Sequence, residues 1–263
     1  MILRLPDELL EIVLSYLTRK EYKATVPCKA LLLCKSYLPL KSYCYYKVIP
    51  IVLLSDREKE ELLIKSCRTN NVGLVRWLLK QGVDPSNKNN LAIWRASMKG
   101  HKKVVELLLK DPRVDPSVEN NCAIRLASEN GHLEVVEMLL KDPRVDPSDV
   151  NNDAINCAAE NGHKEIVKML LKDSSSAEAE RRLALRPNSR VDPSRDFNYA
   201  IRSASELGHK EIVEILLKDL RVDPSANNNE AIRKAIKFEH YDILRMLLNH
   251  PKCNDLLKEI TEE

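Results

Sequence analysis

Five of the six histidines form a regular series, and histidine is the side chain most often used as an acid, a base or a metal ligand. Intervals of 31, 31, 46 and 31 residues separate His101, His132, His163, His209 and His240. Side chains at matching positions of stacked helices stand about 8 to 10 Å apart, whereas the ligands of one zinc ion lie only about 2 Å from the metal. The series therefore predicts a structural ring at each helix junction rather than a shared metal site.

The other residues that could take part in catalysis or bind a ligand also lack the arrangement that such a role requires. The seven cysteines are dispersed without a Cys-x-x-Cys pair, which predicts reduced thiols. Cys122 and Cys157 have no recognisable base beside them, so a packing role in the core is favoured. The Asp-Pro-Ser segments lack the glycines of a phosphate loop and the alternating carboxylates of a calcium loop. The sequence predicts no enzyme, no metal site and no cofactor.

A repeat accounts for the histidine series. The same intervals separate five copies of Val-Asp-Pro-Ser, whose aspartates are Asp84, Asp115, Asp146, Asp192 and Asp223. The one longer interval predicts an insertion at about residues 174–188. Between these markers the chain returns to Asn-x-Ala-Ile-x-x-Ala, then Gly-His, a Val or Ile pair, and Leu-Leu. Each copy predicts two short helices, and copies must stack because such short helices cannot bury their apolar faces alone.

One copy shows how the helices are specified. Asn121 is predicted to be the N-cap of the first helix, and Gly131 is predicted to end that helix in a left-handed conformation. The asparagines equivalent to Asn121 are Asn90, Asn152, Asn198 and Asn229. The second helix presents one apolar face, which is made by Val135, Val136, Leu139 and Leu140.

These residues resemble the ankyrin repeat, because Gly131-His132, Val135-Val136 and Leu139-Leu140 stand at that family's relative spacings. The unit has 31 residues against about 33 in the family, and Cys122–Arg125 replaces the family's Thr-Pro-Leu-His. The resemblance implies an all-α, ankyrin-type solenoid with a shortened hairpin finger. We expect about six helix-turn-helix units over residues 56–254, opened by a Ser55–Glu58 capping box and closed by a capping tail at 255–263.

Residues 1–55 lack the repeat and are predicted to form a separate, small helical segment. Leu-Pro-Asp-Glu-Leu-Leu-x-Ile-x-x-x-Tyr-Leu, at residues 5–17, resembles the start of an F-box. That motif docks onto the Skp-type linker of cullin-based ubiquitin ligases. The resemblance assigns docking to Leu5, Pro6, Leu9, Ile12 and Leu17. Two interpretations remain: a ligase adaptor whose stack holds the substrate, or a free-standing scaffold or sequestering protein in which residues 1–55 only cap the stack.

The resemblance also implies a protein partner along the concave face, at the finger tips and the ends of the first helices. The predicted finger-tip residues are Lys88, Glu119, Asp149 and Asp196. The predicted helix-end residues are Met98, Lys99, Glu129, Asn130, Glu160, Asn161, Glu206, Leu207, Lys237 and Phe238. Because the middle of this surface is acidic and its ends are basic, we expect the partner to present a basic segment. A solvated charged face without a partner is the alternative.

Composition excludes other classes of partner. The formal net charge is +3 from 42 basic and 39 acidic residues, which gives no general case for nucleic-acid binding. No run reaches the roughly 18 apolar residues of a membrane span. The N-terminal stretch carries Asp7, Glu8 and Glu11 where a signal peptide needs an apolar region. We expect an intracellular protein, cytoplasmic or also nuclear, that binds neither nucleic acid nor membranes.

Overall fold

A computed structural model describes residues 55–173 and 190–253. In these residues every regular element is helical, and the α-helices follow one another in pairs. The helices are α1 (Asp56–Arg68), α2 (Val72–Lys80), α3 (Asn87–Met98), α4 (Lys102–Leu109), α5 (Val118–Glu129), α6 (Leu133–Leu140), α7 (Asp149–Glu160), α8 (Lys164–Asp173), α9 (Arg195–Glu206), α10 (Lys210–Leu217), α11 (Ala226–Lys237) and α12 (Tyr241–Leu248). A short 3₁₀ helix, Pro251–Cys253, follows α12. Each successive pair is one unit, numbered 1 to 6 below, and the prediction of an all-α stack is confirmed.

The apolar stripes of both helices in each unit meet in one continuous core. In unit 3, Val135, Val136 and Leu139 are at most 1% exposed, as the helical spacing predicted. Ala123 and Ile124 of the first helix are equally buried. First helices pack on the first helices of neighbouring units, and second helices on second helices. Helices this short are marginal alone, so their stability comes from this stacking.

The insertion does not interrupt the stack. Helix α7 of unit 4 still contacts α9 of unit 5, although residues 174–189 separate the two units in sequence. Units 4 and 5 are joined by a hydrogen bond as well as by core packing. Asn152 Oδ1 of unit 4 accepts the Asp192 N–H, which precedes α9, at 2.8 Å. Units 4 and 5 therefore stack as the other neighbouring units do, despite the longer stretch of sequence between them.

The turns after three of the second helices, α4, α6 and α10, each contain an ion pair whose arginine also binds the preceding unit. In unit 3, Arg144 donates from Nη2 to Asp142 Oδ2 at 2.6 Å and from Nη1 to the Val114 carbonyl of the preceding unit at 2.7 Å. Arg113 and Arg221 make the same two kinds of bond. The local sequence does not reveal this connection, because the carbonyl that accepts from the arginine lies in another unit.

The first and last units depart from the common pattern in predictable ways. The Ser55 and Glu58 capping box forms as predicted at the start of α1. Where the other units have Gly-His, Asn70 of unit 1 takes the left-handed conformation with φ 58° and Asn71 caps α2 by accepting the Leu74 N–H. In unit 6, Glu239 replaces the glycine at φ 61°.

Three predictions concern residues that lie outside the described ranges. They are the F-box-like segment with its docking residues Leu5, Pro6, Leu9, Ile12 and Leu17, the insertion at 174–188, and the closing tail at 255–263. Among the helices that are described, none has the length and apolar character needed to cross a membrane.

Candidate partner-binding face

The finger is the start of the first helix in units 2 to 6, directly after Val-Asp-Pro-Ser, and it makes one left-handed turn before the right-handed part of the helix begins. In unit 3, Glu119, Asn120 and Asn121 have φ of 53°, 55° and 56°, and the Asn121 N–H donates to the Ser117 carbonyl at 2.9 Å. The equivalent positions of units 2, 4, 5 and 6 are also left-handed. Asparagine tolerates this conformation better than most side chains, which explains its frequency here. The hairpin finger implied by the resemblance is absent from the described residues, which contain no strand.

In units 2 to 5 the asparagine that closes the finger binds the next unit, so its prediction as an N-cap is wrong. Asn121 is 1% exposed, its Oδ1 accepts the Asp146 N–H at 2.7 Å, and its Nδ2 donates to Asp149 Oδ2 at 2.8 Å. An N-cap needs an extended backbone that aims its side chain at its own helix, whereas these residues are left-handed. The corresponding bonds, at 2.8 to 2.9 Å, join Asn90 to Asp115, Asn152 to Asp192, and Asn198 to Asp223.

The repeat histidines form a second series of bonds between units. His132 Nε2 lies 3.1 Å from the Met98 carbonyl oxygen, and His163 Nε2 lies 3.0 Å from that of Glu129. Because a carbonyl only accepts, Nε2 carries the proton in each bond. A Cβ added to Gly131 would stand 2.6 Å from His163 Cε1. The structural role predicted for the histidines holds, but each ring bridges two units rather than two helices of one unit.

These histidines fix a row of residue pairs that we call the helix-end ridge. Its members close the first helices of units 2 to 6, and all were predicted to bind a partner: Met98 with Lys99, Glu129 with Asn130, Glu160 with Asn161, Glu206 with Leu207, and Lys237 with Phe238. In each of the first four pairs, the carbonyl of the first residue accepts from the histidine of the next unit, at 2.9 to 3.1 Å. The ridge is therefore held in the stack by its backbone carbonyls, and its side chains take no part in these histidine bonds.

Most of the predicted acidic residues keep an uncompensated charge. Glu129 and Asp196 are exposed and form no ion pair with any described residue, while Glu119 and Glu160 accept only from the neutral Asn89 amide and Tyr199 hydroxyl. Asp149 likewise accepts from neutral donors, the side chain of Asn121 and its neighbour's N–H. Five carboxylates of units 3 to 5 thus give the middle of the face a negative field.

Glu206 does not contribute to that field. It is half-buried, and its Oε2 lies 2.6 Å from Lys234 Nζ. Its prediction as an acidic contact is therefore corrected: at unit 5 the ridge presents Leu207, which is 51% exposed, beside a neutralised carboxylate.

The predicted basic residues do flank the acidic middle. Lys88 lies 3.6 Å from Glu61 in an exposed pair, and Lys99 is exposed on the ridge. At the other end, Lys237 Nζ stands 5.1 Å from the centre of the Phe238 ring, a cation–π distance. Met98 is half-buried, so it offers less surface to a partner than the other ridge residues.

Sequence reasoning missed a row of ion pairs between first helices of neighbouring units. Arg125 lies 2.6 Å from Asp153, and Arg202 lies 3.0 Å from Glu230. These pairs, like Glu206 with Lys234, join residues 28 positions apart. A search for opposite charges at that spacing would have found all three.

The four cysteines within the described residues, Cys67, Cys122, Cys157 and Cys253, form no reactive thiol site. Burial raises the pKa of Cys67 to about 12. Cys122 and Cys157 are half-buried on the first helices rather than in the core, which corrects the prediction of core packing. Burial and the nearby Asp153 carboxylate raise the pKa of Cys157 to about 12. The described part of the chain contains no group of residues suited to hold a metal ion.

The family models that match this chain describe ankyrin repeats. A family model described as "Ankyrin repeats (3 copies)" matches residues 40–120 and 110–182, and one described as "Ankyrin repeats (many copies)" matches residues 201–248. A search of the curated proteins found no match. One similar solved structure is an ankyrin repeat family protein from Legionella pneumophila, which is 17% identical over 96% of this chain and 94% of that chain, with a TM-score of 0.36.

Ankyrin repeats are protein–protein interaction modules, and the helix pairs, bridges and variable outer side chains described above form such a module. The three-copy model alone matches more than half of the sequence. The chain belongs to the ankyrin repeat family.

Proposed function

We propose that the stack binds a protein target that presents a basic segment to the acidic middle of the concave face. The observation that carries this proposal is the set of five uncompensated carboxylates, Glu119, Glu129, Asp149, Glu160 and Asp196. Their charges attract a basic partner over distances comparable with the Debye length, about 8 Å at physiological ionic strength. Binding should therefore weaken as salt is added.

Charge reversal on two faces tests the proposal. The full-length protein, a Glu129→Lys Glu160→Lys variant and a Glu211→Lys control are immobilised, and the proteins they recover from cell extract are quantified at low and high salt. Glu211 is an exposed residue of α10, a second helix, and it forms no ion pair with a described residue. We expect some recovered proteins to be lost from the double variant and at high salt, but retained by the control. An unchanged set would contradict the proposal.

The finer proposal is that the bound target becomes the substrate of a cullin-type ubiquitin ligase. The support is the F-box-like match of residues 5–17, with Leu5, Pro6, Leu9, Ile12 and Leu17 as the residues that dock onto a Skp-type linker. In this arrangement the N-terminal segment holds the ligase while the ankyrin stack holds the target. The protein would act as an adaptor inside the cell and would itself catalyse nothing.

Deleting residues 1–55 separates this role from a free-standing scaffold. If the segment is an adaptor, the deletion should abolish recovery of the Skp-type linker and cullin while the target is still recovered. A Leu9→Lys variant of the full chain should give the same result without removing the segment. If the full-length protein recovers no linker from cells that contain it, the chain is better described as a scaffold or sequestering protein.

A further inference from the structure

The helix-end ridge changes character along the stack. In units 3 and 4 an exposed glutamate is followed by an exposed asparagine, whereas units 5 and 6 carry Leu207 and Phe238 at the asparagine position, with exposures of 51% and 43%. Seven large apolar side chains of the described residues are exposed, and all but Val150 follow residue 190. Scattered exposed apolar residues are ordinary, but two at one repeat position in adjacent units form a surface that water solvates poorly.

The charges on the ridge change at the same place. Glu129 and Glu160 have no cationic partner among the described residues, while Glu206, beside Leu207, is neutralised by Lys234 at 2.6 Å. From unit 3 to unit 5 the ridge is therefore acidic, acidic and apolar, and in unit 6 it is apolar at Phe238 beside the exposed cation of Lys237. A complementary segment carries basic side chains at one end and apolar side chains at the other.

The spacing of the ridge sets the spacing of that segment. First helices of neighbouring units pack directly on one another, so equivalent ridge positions repeat at about 10 Å. A chain in the polyproline II conformation advances about 3.1 Å per residue with three residues per turn, so every third side chain points to the same side and meets the next unit. The histidine bonds to the Glu129, Glu160 and Glu206 carbonyls hold these positions in place before binding, which reduces the entropy lost on association.

We propose that units 3 to 6 bind one segment of a protein partner, in the polyproline II conformation, along the helix-end ridge. Two basic side chains three residues apart face Glu129 and Glu160, and apolar side chains at the next two three-residue steps contact Leu207 and Phe238. The basic half rests on the proposed function above, whereas the apolar half and the spacing go beyond it.

Synthetic peptides test the order and the spacing. A fluorescent peptide Lys-Ser-Gly-Lys-Ser-Gly-Leu-Ser-Gly-Phe is compared with one that has serine in place of its leucine and phenylalanine. A third peptide exchanges the second lysine with the leucine and so keeps the composition. Fluorescence anisotropy with the full-length protein at low ionic strength should show the first peptide binding about tenfold tighter than either control, the effect of burying roughly one apolar side chain.

Substitutions then assign the gain to the ridge. Leu207→Asn with Phe238→Asn introduces the residue that units 3 and 4 already carry as Asn130 and Asn161, so this backbone accommodates it. We expect this variant to lose the tenfold gain and to bind the serine peptide unchanged. Glu129→Lys with Glu160→Lys should weaken both peptides and remove their salt dependence.

The possible failures are distinguishable. If the asparagine variant keeps the tenfold gain, or the exchanged peptide binds as well as the first, the ridge proposal is wrong and the basic-partner function stands. If charge reversal leaves both affinities unchanged, the basic-partner function fails, and the basic half of the ridge proposal fails with it. If sedimentation shows self-association that the asparagine variant abolishes, a second copy of this chain occupies the surface and the proposal is overturned.

Discussion

Replacing Asn121 by alanine measures what one bridge between units contributes to stability. The change removes the acceptor of the Asp146 N–H, at 2.7 Å, and the donor to Asp149, at 2.8 Å. A partly buried N–H left without a partner costs about 1 to 3 kcal/mol. The bond to Asp149 adds less, because that carboxylate is only half-buried and water can replace the lost donor. Alanine also tolerates the left-handed backbone less well than asparagine, by up to about 1 kcal/mol.

Asn120 is the matched control, because it lies in the same finger with φ 55° but is exposed. Asn120→Ala carries the same backbone penalty without breaking a bridge. We therefore expect Asn121→Ala to lower the free energy of unfolding by about 2 kcal/mol more than Asn120→Ala. Urea unfolding followed by circular dichroism gives the two values.

Hydrogen exchange locates the effect. The Asp146 amide should exchange much faster in the Asn121→Ala protein, while it should keep its protection in the Asn120→Ala protein. Equal loss of stability in both variants would refute the reasoning, since the penalty would then lie in the left-handed turn rather than in the bond between units. Asn229 adds a second comparison, because its buried Oδ1 has no hydrogen-bond partner and its replacement should cost less than that of Asn121.

Three further predictions concern other contacts. Gly131→Ala should lower the stability of the protein more than Gly82→Ala, although both glycines are left-handed. A Cβ at position 131 would collide with His163, whereas a Cβ at position 82 has no atom within 4 Å. The urea midpoints of the two variants give the comparison. The side-chain hydrogen bond from Arg221 holds the pKa of the Asp219 carboxyl below its ordinary value. This bond therefore stabilises the fold above the unfolded pKa of about 3.9 and is lost as the pH falls through the lowered folded pKa. The Tm deficit of Asp219→Asn should accordingly be full at neutral pH and shrink on acidification, and a deficit that grows in acid would contradict this sign. Phe197 is 70% exposed and left-handed at φ 51°, and it stands where units 2, 3, 4 and 6 have asparagine. Phe197→Asn should therefore raise the free energy of unfolding by about 1 kcal/mol, and a loss on urea unfolding would contradict it.

The helix pairs could be predicted from the sequence because their determinants lie close together in the chain. Val135, Val136 and Leu139 specify one buried face through helical spacing alone, and Gly131 ends the first helix through its own conformational freedom. The same pattern of residues also occurs in several units, so it can be recognised even where one unit has a different residue at one position. This explains why the predicted apolar face of the second helix is the one that the structure buries.

The bridges could not be predicted in the same way, because their partners lie in other units. The preference of asparagine for N-cap positions is a local rule, whereas Asn121 is satisfied by Asp146, 25 residues away. Glu206 was counted as a free acid because its partner, Lys234, lies 28 residues away. In both cases the partner of the side chain depends on how neighbouring units are aligned with each other. That alignment is known only from the three-dimensional structure of the stack.

That register also explains how the stack can vary its outer surface. The histidine bonds use backbone carbonyls, which every residue possesses, so the ridge positions at Glu129 and Glu160 are held whatever side chains they carry. Exchanging either side chain should change the affinity for a partner with little change in stability. Glu206 differs, since its carboxylate also joins units 5 and 6 through Lys234. A substitution of Glu206 would change both the contact between units and the surface charge, so a change in binding could not be assigned to either one. A substitution of the neighbouring Leu207 does not disturb the bond to Lys234.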